Sequence, residues 1–207
     1  QYDVIVVSDE IHCDLTKPGT EYIPFASVDD TCRDISVTCI APTKTFNLAG
    51  LQTAAVYAEN SILHHRMWRQ LNTDEVAEPN AFAIQATIAA FQYGEEWLDE
   101  LREYVEKNKQ YVTEFLQEKI PLIHPVAGDA TYLMWLDCRK ITESGRQFVK
   151  FIRKTSGLYV SGGNQYGRGG EGFLRVNVAT SKLVVEDGMQ RLYESVDAWL
   201  KEEKISK

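Results

Sequence analysis

The stretch Pro42–Asn47, with the sequence PTKTFN, decides the interpretation of this chain, because it directly follows an apolar run at residues 35–40 that predicts a β-strand. Lys44 is flanked here by small hydroxyl residues and apolar groups, which can exclude water from its amine. Exclusion of water favours the neutral amine, the form that makes a Schiff base with a carbonyl compound. Because lysines are mostly exposed, a surface lysine on a loop is the simpler interpretation of this stretch alone.

A second polar segment, Ser8–His12 with the sequence SDEIH, lies at the end of another predicted strand, residues 3–8. The continuous Val/Ile run of that strand is typical of a strand buried on both faces of a parallel sheet. Ligands bind at the carboxyl ends of strands in open α/β sheets. Asp9 is therefore either a cofactor partner or a cap of a helix or loop, and the segment alone leaves both interpretations open.

A third segment, Gly172–Asn177 with the sequence GFLRVN, places Arg175 within an apolar strand. Burying an arginine is costly unless an anion pairs with it. A carboxylate fits the guanidinium fork, so Arg175 is a candidate ligand for an acidic group. The alternatives are a structural salt bridge and an arginine whose charged head reaches solvent.

Apolar patterns along the rest of the chain predict an α/β fold. The predicted strands are 3–8, 35–40, 53–58, 131–136, 158–160 and 173–178. The predicted helices are 81–93, a long helix from Glu95 that Pro121 stops, one around 148–157, and a final helix that carries Val185 to Leu200. The first three strands lie close together in the sequence and are expected to form part of one sheet. The later alternation of strands and helices predicts a small α/β unit. Residues 162–172 are rich in glycine and are expected to form a mobile loop.

Composition excludes several classes of protein. The chain has 207 residues, of which 44% are hydrophobic and 25% charged, which is typical of a soluble globular protein. Its net charge of −8 gives no support for a nucleic-acid partner or an acidic membrane surface. No run of about 18 apolar residues predicts a membrane span. The four cysteines form no metal-like cluster, so we expect reduced thiols, no metal and a cytoplasmic location.

Taken in order, SDEIH, PTKTFN and GFLRVN resemble the motifs of fold-type I pyridoxal-5′-phosphate (PLP) enzymes of the class I/II aminotransferase superfamily. More closely, they resemble the MalY/PatB-type cystathionine β-lyases (C–S lyases). The resemblance covers the whole chain and corresponds to roughly the C-terminal half of a complete enzyme, which for this fold has one large and one small domain. It implies that residues 1–98 are the C-terminal part of the PLP-binding large-domain sheet and residues 99–207 the small C-terminal α/β domain. Since the chain lacks an initiator methionine and begins near a strand of the buried type, we expect a longer polypeptide.

The resemblance also implies roles for individual residues near the cofactor. Asp9 matches the aspartate that pairs with the pyridine nitrogen of PLP, and Lys44 matches the lysine that forms the Schiff base. His12 occupies the position near the phenolic oxygen where many aminotransferases have a tyrosine, and the histidine favours the lyase subgroup. Thr43 is expected to contact the phosphate, because Ala41 and Gln52 replace a serine and an arginine that hold it in many aminotransferases.

On the substrate side, Arg175 matches the arginine that grips the α-carboxylate of an amino acid. Tyr132 and Trp135 match a family segment near the substrate, although core packing is the favoured interpretation for both. His64 and His65 are interpreted as a solvated helix face, because no third metal ligand is near them in the sequence.

The implied activity is cleavage of cystathionine or cysteine-type thioethers to a thiol, pyruvate and ammonia. A PLP-dependent aminotransferase of L-amino acids and a regulatory binding protein that keeps the fold are the alternatives. The resemblance further implies a homodimer, with residues 66–80 reaching the partner subunit. We expect the isolated chain to be inactive, because half of the cofactor contacts of a complete enzyme belong to a segment outside it.

Overall fold

The computed structural model describes residues 4–205, and side chains as far as residue 202. The chain divides into two compact units, Gln1–Arg102 and Glu103–Lys207, and the division falls within one long helix. The domain boundary predicted after residue 98 lies in the same helix and stays a prediction. No helix in the described part of the chain is long and apolar enough to cross a membrane.

The first unit is built on a small mixed sheet. Its elements are β1 Val6–Asp9, α1 Asp30–Asp34, β2 Ser36–Ile40, α2 Pro42–Thr45, β3 Ala55–Tyr57, α3 Ser61–Thr73, α4 Ala83–Tyr93 and the start of α5 Glu95–Lys119. The strand order is β1-β2-β3, with β1 parallel and β3 antiparallel to β2. The prediction that the first three strands share one sheet is therefore confirmed.

The first strand is exposed in this chain, so its predicted burial on both faces stays a prediction for the longer polypeptide. Val7 is 66% exposed, and Val4 and Ile5 are also exposed. Within the described residues β1 pairs with β2 alone, so it is an edge strand of this sheet. A Val/Ile run shows that a strand can be buried, but burial itself requires layers on both faces. Part of the predicted range, Asp3, lies outside the described residues.

Three helices of the first unit, α1, α2 and α3, lie outside the helix ranges that the sequence predicted, although His64 and His65 of α3 were assigned to a helix face. Asn60 begins α3, because its side-chain oxygen accepts hydrogen bonds from the backbone N–H groups of Ile62 and Leu63. No residue of α3 is fully buried, but Leu63, Met67 and Leu71 are half-buried at a spacing of four residues, an apolar stripe that the predicted helices left out. His64 and His65 lie on its exposed face, as the sequence predicted.

The second unit contains an antiparallel sheet covered by helices. Its elements are the remainder of α5, β4 His124–Pro125, β5 Leu133–Asp137, α6 Gly145–Ser156, β6 Ser161–Gly162, β7 Phe173–Asn177 and α7 Lys182–Ile205. The strand order is β4-β5-β7-β6. Alternate residues of β5 and β7 are buried, and the core includes Met134, Leu136, Leu174, Val176, Phe148, Ile152, Met189 and Leu192. Alternation places Trp135 and Arg175 on the opposite face.

Two local predictions in this unit are wrong. Residues 158–160 form no strand, and the edge strand lies one step later at Ser161–Gly162. The predicted mobile loop is instead two 3-10 turns, Gly163–Tyr166 and Arg168–Gly170. Gly163 and Gly170 approach each other so closely that a Cβ on either would meet the backbone of the other. Glycine therefore serves close packing here rather than mobility.

The helix α5 carries a buried amide in its apolar stripe. Asn108 is 2% exposed and lies between the buried residues Val105 and Val112. Its Nδ2 donates hydrogen bonds to the backbone oxygens of Val178, at 2.9 Å, and Thr180, at 3.0 Å. The amide thereby satisfies two carbonyls of the segment between β7 and α7, which would otherwise be left without partners.

We predict that Asn108→Leu lowers the free energy of unfolding by about 1–3 kcal/mol, because two carbonyl groups lose their partner. Chemical denaturation of the full-length protein measures the change. Gln110→Leu, an exposed position on the same helix, is the control and should change stability little. Equal stability of the Asn108→Leu and Gln110→Leu proteins would contradict the prediction.

Candidate functional site

Neighbouring strand ends bring four of the predicted site residues to one edge of the first sheet. Asp9 is the last residue of β1 and pairs with Cys39 near the end of β2. His12 follows β1 in a turn, and Thr43 and Lys44 follow β2 in α2. Because β1 and β2 are parallel, their carboxyl ends meet at the same edge.

Lys44 lies on a helix of four residues, where the sequence predicted only a turn-rich segment. A helix this short has little stability of its own, so contacts from its neighbours must hold it. Pro42 begins it, and the Pro42 oxygen accepts a hydrogen bond from the Phe46 N–H at 2.9 Å. The half-buried Lys44 forms no hydrogen bond or ion pair with another residue in the described part of the chain.

The first anchor of this helix is the ring of Phe46. It meets Phe91 edge-on at 5.4 Å and Trp97 at 5.9 Å between ring centroids. Gly94 separates α4 from α5 at this point, and a Cβ there would lie 2.5 Å from Cε1 of Phe46. The ring therefore occupies space that only a glycine leaves open.

The second anchor is a hydrogen bond to a carboxylate. Thr45 is fully buried, and its hydroxyl donates to Oδ2 of Asp14 at 3.0 Å. Asp14 also contributes to the environment of Cys13, where burial and then the neighbouring carboxylate raise the thiol pKa to about 11. Asp14 thus connects the turn after β1 to the residue that follows Lys44.

The segment that carries Asp14 is fixed at both ends. Glu10, which is 5% exposed, accepts hydrogen bonds from the Ser8 hydroxyl and the Phe25 N–H. Burial and the charge of Glu10 raise the pKa of Tyr22 to about 12. At the other end, the Arg102 guanidinium donates hydrogen bonds to the backbone carbonyl oxygen of Thr16, at 2.9 Å, and to the side-chain hydroxyl of Thr16, at 3.0 Å.

Sequence reasoning missed Glu10 and Asp14. The run SDEIHCD offered three acids, and only Asp9 was weighed. Asp9 itself is exposed, and its Oδ1 accepts the Ile11 N–H at 3.4 Å, so it does cap the turn. A carboxylate accepts about four hydrogen bonds, so this contact leaves capacity for a ligand and both interpretations of Asp9 stand.

Ala41 and Gln52, the two departures from the aminotransferase pattern, contribute no anion-binding side chain near Lys44. Ala41 is buried, and Gln52 is exposed with a left-handed backbone at φ 48°. A groove of about 370 Å³ beside Pro42 is lined by apolar and small residues of β2, β3 and α4 and has no charged group. The half-buried hydroxyl of Thr43 is the polar group of α2 next to Lys44.

Arg175 belongs to the second unit. It lies in the middle of β7, paired with Trp135 of β5 on one side and Ser161 of β6 on the other. Its guanidinium stacks over the ring of Tyr166 at 4.4 Å from the centroid. Among the side chains described up to residue 202, no carboxylate forms an ion pair with it. The salt-bridge alternative is therefore not supported, and binding of an external carboxylate by Arg175 stays a prediction.

Tyr132 and Trp135 lie beside Arg175 rather than in the core that was favoured for them. Both are half-buried, and the Trp135 ring meets Tyr166 edge-on at 5.7 Å. Burial raises the pKa of Tyr132, while the positive charge of Arg175 opposes that shift. The period-2 alternation of β5 could have assigned Trp135 to the face of Arg175, since Met134 and Leu136 already fill the buried face.

Comparisons with known proteins agree on one family. The model of the aminotransferase class I and II family matches residues 1–192. Cystathionine beta-lyase PatB of Bacillus subtilis is 40% identical over 192 residues, which are 93% of this chain and 50% of PatB. Protein MalY of Escherichia coli is 30% identical and matches 96% of this chain and 50% of its own length.

Solved structures give the same result. Cystalysin from Treponema denticola, a structure that contains a pyridoxal 5′-phosphate cofactor, has a TM-score of 0.89 at 28% identity over 94% of this chain and 49% of its own. The PLP-bound C–S lyase from Staphylococcus hominis has a TM-score of 0.82 at 32% identity over 94% and 50%. The fold is therefore the α/β fold of these proteins, and the chain spans about half the length of the relatives that it matches.

We predict that Gly94→Ala destabilises the fold by about 1–3 kcal/mol, because the new methyl group would meet both the backbone oxygen of Ala90 and the ring of Phe46. Chemical denaturation of the full-length protein measures the loss. Gly50→Ala is the control, since a Cβ at Gly50 meets no atom within 4 Å. If both variants have the same stability, Phe46 is not held as described.

We also predict that Thr45→Val lowers stability by about 1–3 kcal/mol, because Asp14 loses a donor without any change of side-chain volume. Thr45→Ser keeps the hydroxyl and should retain more of the stability than Thr45→Val does. Thermal unfolding compares the three proteins. A Thr45→Val protein as stable as the unmodified one would show that the Asp14 hydrogen bond contributes nothing.

Proposed function

The chain belongs to the aminotransferase class I and II family, and from that premise we propose that the full-length protein is a PLP-dependent C–S β-lyase. Its substrates are cystathionine or cysteine-type thioethers, and its products are a thiol, pyruvate and ammonia. The observation that carries the proposal is the parallel pairing of β1 and β2, which brings Asp9 and Lys44 to one edge of the sheet, and Lys44 has no hydrogen bond or ion pair with the described residues. Similarity to cystathionine beta-lyase PatB and to the PLP-bound C–S lyase from Staphylococcus hominis supports the lyase over other members of the family.

The residues at this edge fit PLP by their chemistry. Lys44 offers an amine for covalent attachment, and Asp9 offers an exposed carboxylate for a protonated pyridine nitrogen. Thr43 offers a hydroxyl for the phosphate, and His12 lies on the same edge for the phenolic oxygen. The remaining phosphate contacts must come from outside these residues, because Ala41 and Gln52 supply none.

When bound, PLP supplies an electron sink for the charge that develops on the substrate Cα. Asp9 keeps the pyridine nitrogen protonated by its negative charge. Arg175 holds the substrate carboxylate through two parallel hydrogen bonds and so fixes the direction of the Cα–H bond. Lys44, in its neutral form, removes that proton as a general base, and a thiolate leaves from the adjacent carbon.

An aminotransferase is the second candidate, because the matching family is described as aminotransferase class I and II. An aminotransferase would use the same residues. The two reactions differ in where the proton from Cα goes, and the described residues serve both. His12, in place of the tyrosine of many aminotransferases, favours the lyase by resemblance.

We also propose that the full-length protein is a cytoplasmic homodimer. Its four cysteines are free thiols, in keeping with a reducing compartment. The segment 66–80 that the sequence assigned to the partner subunit begins on α3, where Trp68 is exposed. An exposed tryptophan is typical of protein interfaces.

The lyase proposal predicts pyruvate release from cystathionine by the full-length protein without an added keto acid. Lys44→Ala should abolish it, because the general base is lost, and borohydride reduction with PLP should label Lys44 in peptide mass maps. Lys140→Ala, at an exposed position of the second unit, should change neither result. Amino transfer to a keto acid that exceeds pyruvate release would replace the lyase with the aminotransferase, and labelling elsewhere than Lys44 would refute the site.

A further inference from the structure

Five side chains form a continuous stack on the Arg175 face of the second sheet. The Arg139 guanidinium lies 4.8 Å from the centroid of the Phe173 ring, and Phe173 stacks on Trp135 at 5.5 Å. Trp135 meets Tyr166 edge-on, and Tyr166 carries the Arg175 guanidinium at 4.4 Å. We propose that this stack positions Arg175 and that Tyr166 is its positioning residue, an inference that rests on the proposed role of Arg175 in binding the substrate carboxylate.

The geometry of a guanidinium explains why the ring under it matters. All five N–H donors lie in the plane of the group and point outward from its edges. An aromatic ring contacts the flat face of the cation and leaves those edges available. Tyr166 thereby stabilises the charge of Arg175 without using a donor that a carboxylate needs.

A carboxylate in place of Tyr166 would act differently. It would bind the same N–H donors as the substrate, and the substrate would have to displace it. The Tyr166 ring does not compete with the substrate carboxylate for the N–H donors of Arg175. Arg175 can therefore stay ordered before a substrate binds. An ordered group loses less conformational freedom on binding, which increases affinity.

The two turns that carry Tyr166 are themselves fixed. Gly163 and Gly170 pack backbone against backbone, and a Cβ on Gly163 would lie 2.9 Å from Cη2 of Trp135. The Trp135 ring therefore contacts both the first residue of the turn and the Tyr166 ring at its end. Since Tyr166 is 47% exposed, its replacement changes the stack without emptying the core.

The test compares two ligands that differ only in the group that Arg175 recognises. In 2-methylalanine the Cα carries a carboxylate and no hydrogen, so Lys44 has no proton to remove. In tert-butylamine a methyl group replaces that carboxylate. Isothermal titration calorimetry on the full-length, PLP-loaded protein measures both dissociation constants, and steady-state kinetics with cystathionine measures KM and kcat.

We expect Tyr166→Leu to weaken 2-methylalanine binding by about 2-fold to 12-fold, the cost of ordering one long side chain on binding. Binding of tert-butylamine should not change. For cystathionine, KM should rise with little change in kcat, because the carboxylate is held equally before and during the reaction. Tyr166→Phe keeps the ring and should behave like the unmodified protein.

The chain contains a matched control. Arg153 lies 4.9 Å from the centroid of the Tyr159 ring in the same unit, and Tyr159 is 75% exposed. Tyr159→Leu removes an equivalent arginine–tyrosine contact away from Arg175 and should change none of the constants. If Tyr166→Leu does not fold, Tyr166→Met removes the ring with a different side chain and is measured in its place.

Three results separate failure of the inference from failure of the proposed function. If Arg175→Lys weakens 2-methylalanine binding while Tyr166→Leu behaves like Tyr159→Leu, Tyr166 does not position Arg175. The same conclusion follows if Tyr166→Phe loses as much affinity as Tyr166→Leu, since the hydroxyl would then carry the effect. A protein that shows the Tyr166 effect on binding but releases no pyruvate contradicts the lyase function and leaves the positioning role intact.

Discussion

The parallel pairing of β1 with β2 is the constraint on which the candidate site depends. Parallel strands end at the same edge of a sheet, so Asp9 and the segment of Lys44 meet although a long polar segment separates them in sequence. A one-residue slip of the register would move every side chain of β1 to the other face. The pairing of Asp9 with Cys39 therefore fixes on which side of the sheet the carboxylate lies.

Pairing alone does not position Lys44, because the helix that carries it has only four residues. Its stability comes from tertiary contacts of the two residues that follow Lys44, the Thr45 hydroxyl on Asp14 and the Phe46 ring against Gly94. Both contacts leave the Lys44 amine without a partner among the described residues. The Lys44 segment is thus held by contacts of its neighbours rather than by a bond of the Lys44 amine.

In the second unit, too, contacts with neighbouring side chains hold a charged group, the Arg175 guanidinium. Helices cover one face of its sheet with apolar side chains, and the other face carries Arg175 among Trp135, Phe173 and Tyr166. The Arg175 guanidinium lies over the Tyr166 ring, and no carboxylate among the described side chains forms an ion pair with it. In both units, neighbouring residues position the functional group, Lys44 or Arg175. In the proposed function, the polar atoms of that group are the ones that bind a ligand.

The sequence by itself determined the order of most strands and helices, because apolar periodicity is a local property. The motifs SDEIH, PTKTFN and GFLRVN are also local, and they were sufficient to indicate the family. It did not reveal the hydrogen-bond partners of Glu10, Asp14 and Asn108, because those partners lie elsewhere in the chain. It assigned residues 162–172 to a mobile loop, although two glycines there pack backbone on backbone. Only the tertiary structure decided which polar groups are paired and which, like Lys44 and Arg175, are left for a ligand, because pairing depends on contacts between residues far apart in the chain.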